Sequence, residues 1–75
     1  MSNAISDFMV HIDDDLYPGE RRLLEADVMN GDCVVSAHIP DSTPHLMMVV
    51  YDSECTHARE ILGQVRNMGV HATML

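Results

Sequence analysis

The chain has 75 residues and a mass of 8.4 kDa, with 12 Asp+Glu against 4 Lys+Arg and a formal net charge of −8. That length fits one domain, and that charge argues against binding to nucleic acid or to an anionic membrane surface. The four cations are all arginines, so a lysine Schiff base and a P-loop lysine are excluded. Apolar residues make up 47%, enough to expect a folded chain. No apolar run approaches the roughly 20 residues of a membrane span. The start shows no basic, apolar leader, and two cysteines do not make a secreted disulfide framework. The expectation is a cytoplasmic protein with free thiols. Ser2-Asn3-Ala4 reads as the remnant of a cleaved tag, which leaves residues 5–75 as a single domain.

Phe8, Val10 and Ile12 alternate with Met9 and His11, the pattern of a strand with one buried face. Asp13-Asp14-Asp15 ends it. Pro18 suits the first turn of a helix, and Glu20 suits its positive end. Leu23, Leu24, Val28 and Met29 are the expected apolar stripe, with Asn30-Gly31 closing the helix and Gly31 in a left-handed cap. Cys33–Ile39 reads as a second strand, and Pro40–Pro44 is turn chemistry. Leu46–Tyr51 is a third strand, apolar on both faces. Thr56 is the expected cap of a second helix, whose stripe is Ala58, Ile61, Leu62, Val65 and Met68. Gly69 closes it, and Val70–Met74 alternates again. The order is βαββαβ, which predicts an α+β ferredoxin-like sandwich: a four-stranded antiparallel sheet with two helices on one face.

Several of these segments resemble the heavy-metal-associated domain of copper chaperones and metal-transporting ATPases. Met47, Val49, Tyr51 and Asp52 match that family's V-x-V-x-Y-D strand end. Thr56, Ile61 and Leu62 match its helix positions, Gly69-Val70-x-Ala72 its closing G-Y-x-A, and Val34–Ile39 its G-V-x-S-V-x-V strand. The resemblance implies a metal-binding domain. It also implies M-x-C-x-x-C after the first strand, where this chain reads His11-Ile12-Asp13-Asp14-Asp15-Leu16-Tyr17-Pro18 without a cysteine. Carboxylate and imidazole suit Zn or Ni better than monovalent copper.

The topology gathers His11, His38, His45 and His71 at one end of the sheet with Asp13–Asp15. Strand phase points His11 and His71 at the uncovered face on neighbouring strands. His11, Asp13 and His71 are therefore the expected ligands of a degenerate site for a transition metal, Zn, Ni or Cu. The alternative ligands are Cys33 and Cys55, which the same topology places together at the opposite end, with His57 nearby. The alternative function is a non-catalytic interaction module that kept the fold and lost the metal. Met9, Leu46, Met48 and Val50, joined by Val34, form an expected apolar patch on the open face, suited to a homodimer. No enzyme is expected. Cys55 and His57 are the one nucleophile–base neighbour pair, and residues two apart do not face each other on a helix.

Overall fold

The structure, a computed structural model, describes residues 4–75. Of the expected tag remnant, residues 1–3 lie outside the described residues. Ala4 is described, and its carbonyl accepts hydrogen bonds from the Ser53 amide (2.7 Å) and hydroxyl (2.9 Å).

The elements follow the expected order: β1 (Ile5–Ile12), α1 (Pro18–Met29), β2 (Val34–His38), β3 (Leu46–Asp52), α2 (Ala58–Asn67) and β4 (Ala72–Met74). The strands form one antiparallel sheet in the order β2-β3-β1-β4. This is the ferredoxin-like sandwich. Alternation decides which strand residues are buried: Val10, Ile12, Met47 and Val49 are fully enclosed, and their neighbours Met9 and Met48 are exposed. The helices close the core with Leu24, Val28, Ile61, Leu62 and Val65. Phe8 packs edge-on against Tyr51 with ring centroids 5.6 Å apart.

Both helices begin and end by identifiable means. Pro18 opens α1, and the Glu20 carboxylate accepts a hydrogen bond from the Tyr17 amide at 2.9 Å. Asn30 is its C-cap, and Gly31 does not take the left-handed conformation expected of it. Gly69 does, at φ +85, just past the end of α2. The N-cap of α2 is His57, one residue beyond the expected Thr56, whose hydroxyl instead donates to Glu60 (3.0 Å).

The buried stripe of α1 is a correction. Leu23 is 70% exposed and Met29 48% exposed, while Arg21, Leu24, Glu25 and Val28 are the buried set. These four recur at i, i+3, i+4 and i+7, so the period is helical although two of the residues are charged. Most of their polar atoms have partners, the buried Arg21 Nε being the exception. Glu25 accepts from the buried Ile39 amide and lies 3.2 Å from Arg22 and 3.3 Å from His38. Arg22 donates to the Ile39 carbonyl (2.8 Å) and to Asp41 (3.2 Å). Arg21 donates to the Leu16 carbonyl (2.9 Å). Side chains of α1 thus satisfy both main-chain groups of Ile39, just beyond the end of an edge strand.

A second correction concerns Val34. The ladder between β2 and β3 is irregular between Val34 and Ser36, so Val34 lies opposite Tyr51 and packs on the core. A bulge of this kind shifts the phase by one, and Val35 becomes the exposed residue.

Removing the Glu25 carboxylate strands the buried Ile39 amide and leaves Arg22 without its ion partner on α1. Glu25→Ala is expected to cost about 1–3 kcal/mol, the penalty for an unsatisfied buried donor. Urea unfolding at neutral pH measures it. A midpoint equal to that of the parent would mean that the contact contributes nothing.

Candidate functional site: the histidine–aspartate end

β1 runs out at Ile12 into the acidic loop, and β3 and β4 begin beside it. The amide of Ile12 donates to the carbonyl of His45, and that of Asp13 to the carbonyl of His71, both at 2.8 Å. These two bonds bring residues from three strands to one place. Each aspartate of the triplet then has its own imidazole. Asp13 holds His11 Nδ1 at 2.6 Å, Asp14 holds His71 Nδ1 at 3.1 Å, and Asp15 lies 3.1 Å from His45 Nε2. Asp14 also accepts from the His71 amide at 2.7 Å, and Asp13 from the Thr73 hydroxyl at 3.3 Å.

The expected pairing of His11 with His71 across neighbouring strands is not formed. The register sets His11 opposite Thr73 and Ile12 opposite Ala72. His71 therefore falls two residues along the partner strand and turns to Asp14. The imidazole beside His11 is instead that of His45, stacked with ring centroids 5.9 Å apart and an interplanar angle of 14°. Among the described residues, no group of three or more His, Cys, Asp or Glu is arranged to hold a metal ion. His38 belongs to the Glu25 cluster, and His57 caps α2.

His45 has a feature that sequence reasoning did not single out. Its Nδ1 lies 2.7 Å from the Ile12 carbonyl oxygen. A carbonyl can only accept, so Nδ1 carries the hydrogen, and the neutral ring keeps its lone pair on Nε2. Ligating histidines are oriented in this way, with one nitrogen tied to an acceptor, and here the other nitrogen faces Asp15 Oδ1 at 3.1 Å. The signal in the sequence is slight, a histidine immediately before a strand.

The thiol alternative is corrected in its chemistry. Cys33 and Cys55 lie together, as the topology implies, but they are joined in a disulfide with Cα atoms 5.5 Å apart. That spacing is ordinary for a disulfide. The expectation of free thiols fails, and with it the support they lent to a cytoplasmic location. Among the described residues no helix is long and apolar enough to cross a membrane.

Comparison with solved structures fits this geometry. A copper binding domain from HMA7, a P-type ATPase, aligns with a TM-score of 0.82 at 20% identity over 92% of each chain. Oxidized MerP from Ralstonia metallidurans CH34 aligns at 0.83 and 10% identity, over 95% of this chain and 97% of that one. The CopZ metallochaperone aligns at 0.80 and 16% identity, over 91% and 100%. The fold is that of the heavy-metal-associated domain. No family model and no curated protein sequence matches the chain. At these identities the likeness extends to the fold.

Asp14 titrates below the usual carboxylate range. The chief cause is the hydrogen bond from the His71 amide, opposed by loss of solvation and assisted by the His71 side chain through hydrogen bonding and charge. A carboxyl whose folded pKa is depressed stabilises the fold above its unfolded pKa, and that contribution is lost as pH falls through the folded value. Asp14→Ala is therefore expected to destabilise the protein at neutral pH by an amount that shrinks once pH falls below the unperturbed 3.8. Unfolding curves of both proteins across the acid range measure this. A difference that stays constant to the lowest pH would place the effect elsewhere.

Proposed function

We propose that this chain is a small metal-binding domain whose ligand end is the histidine–aspartate end, and whose ion is a borderline divalent cation such as Zn, Ni or Cu(II). The observation that carries this reading is His45, whose Nδ1 is engaged by the Ile12 carbonyl and whose Nε2 faces Asp15. His11 lies against its ring, with Asp13 bound to the His11 Nδ1. Each of these pairs is made of two atoms that ligate zinc. A divalent ion seated between the two atoms of a pair takes both as ligands. His71 with Asp14 is a third such pair, and its backbone bonds give it a structural duty as well. The fold supports the reading, since a copper binding domain and a metallochaperone share it. The function is binding rather than catalysis.

Calorimetric titration of the disulfide-bonded protein with Zn tests this. One ion per chain is expected. His45→Ala and His11→Ala should each weaken binding by about tenfold or more, a loss typical of disturbing a coordination shell. Isotherms unchanged by both substitutions would remove the reading.

A second reading, an interaction module that pairs with its own copy, is favoured by the open sheet face. Met48 is 47% exposed and lies opposite Met9, and Leu46 and Val50 are half-buried beside them. The four apolar side chains adjoin one another across β1 and β3, with Asp7, opposite Val50, at the margin of the patch. A dimer in light scattering that Met48→Glu disperses is the expected result. A strict monomer at millimolar concentration would leave this face without that role.

A further inference from the structure

The disulfide lies at the end of the sheet away from the Asp13–Asp15 loop. Cys33 directly precedes β2, and Cys55 sits in the turn between β3 and α2. Their proximity does not depend on the sulfur–sulfur bond. The Asp52 amide donates to the Cys33 carbonyl at 2.9 Å, and the Cys55 amide donates to the Asp52 carbonyl at 3.1 Å. One residue at the end of β3 thus holds both cysteines through its main chain. The adjoining ladder pairs Val34 with Tyr51, and the Glu54 amide closes the turn onto the Asp52 carboxylate (2.9 Å). With the bond opened, this backbone keeps the two sulfurs as neighbours.

We propose that the reduced Cys33–Cys55 pair is a metal site for a soft monovalent cation, Cu(I), at the end of the sheet opposite the histidines. Cys55 is exposed and Cys33 half-buried, so both a reductant and an ion can reach the pair. Two thiolates suit Cu(I), which accepts two-coordinate ligation by soft donors. Asp52 and Glu54 add negative charge around the turn, which favours a cation. Cys55 also precedes the N-terminus of α2, whose partial positive charge favours thiolate over thiol. The chemistry balances with an external dithiol. The dithiol gives two electrons and two protons to the disulfide, which opens to two thiols, and is itself oxidised to a disulfide. Binding of Cu(I) then releases the two thiol protons and forms two sulfur–copper bonds.

The test is competition for Cu(I) against a chromophoric chelator, with native mass spectrometry for stoichiometry. The expected result is one Cu(I) per reduced chain, with a thiolate-to-copper charge-transfer band. Affinity should be at least about 100-fold weaker in the disulfide-bonded chain, in Cys33→Ser, in Cys55→Ser and after alkylation of both thiols, since each removes the soft donors. Equal affinity in the oxidised and reduced chains would overturn the proposal and assign the ion to the imidazoles. Zn binding by His45 is read separately on the oxidised chain, so either site can fail alone. Circular dichroism follows the fold throughout. Should reduction unfold the chain, added Cu(I) is expected to restore the spectrum, because metal binding to a native site is folding free energy. A reduced chain that takes no Cu(I), folded or unfolded, would also overturn the proposal.

Discussion

β1 and β3 are paired without interruption, from Ile5 opposite Asp52 to His11 opposite Leu46, and the placement of every reactive group traces to that register. At one end it sets His45 against the Ile12 main chain, which orients the ring. At the other it ends on Asp52, whose main chain gathers Cys33 and Cys55. In between, alternation sends Val10, Ile12, Met47 and Val49 into the core and Met9 and Met48 to the open face. A slip of one residue would exchange the two faces and expose the apolar set to water. The burial of those four side chains is therefore what holds the chemistry at both ends in place.

Carboxylates organise the charged parts of the fold. With 12 acidic groups against 4 arginines, most acids have no arginine to meet, and the imidazoles take up part of the deficit. Asp14, Asp15 and Glu25 each have a histidine from a distant part of the chain, and Asp13 has the histidine two residues before it. The exposed pairs act mainly as local hydrogen bonds, since surface ion pairs are weak. Glu25 differs because it is 8% exposed and satisfies a buried amide. It holds the segment after β2 to α1. Arg21 ties the loop before α1 to the same helix through the Leu16 carbonyl. The helix thus anchors the chain on both sides of the sheet's histidine–aspartate end.

Period and topology were enough to read the element order, since β1 alternates cleanly and α2 has a full apolar stripe. They also placed the cysteines together and the histidines at one end. The readings that failed share a cause: each needed a tertiary position that type alone does not encode. Leu23 and Met29 are apolar and Arg21 and Glu25 are charged, yet the buried face of α1 takes the charged pair because the Ile39 main chain needs partners there. Val34 faces the core, against strand alternation, because a bulge leaves no mark in the sequence. The register places His71 two residues along from the position opposite His11. The disulfide was not legible because two cysteines 22 residues apart carry no statement of their oxidation state.

The two ends of β3 differ in kind as well as in place. Its residues Leu46–Asp52 rise about 3.3 Å each, so the histidine end and the cysteine end lie roughly 20 Å apart. No ion can take ligands from both. At physiological ionic strength charges on the surface are screened within about 8 Å, so an ion at one end exerts little field at the other. The donors also differ: imidazole nitrogen and carboxylate oxygen at one end, sulfur at the other, which select borderline divalent and soft monovalent ions respectively. The sulfur donors exist only in the reduced chain, whereas the nitrogen and oxygen donors are indifferent to redox state. Coupling between the ends must therefore run through the stability of the fold. Closing a loop of 22 residues stabilises the folded chain by about 3 kcal/mol in the chain-entropy description. Reduction gives up that contribution, and an ion held as proposed between the two sulfurs would restore the same cross-link. Under the proposed Cu(I) site, the disulfide and a thiolate-held cation would be alternative closures of one loop, and both would leave the histidine end supported by the same sheet.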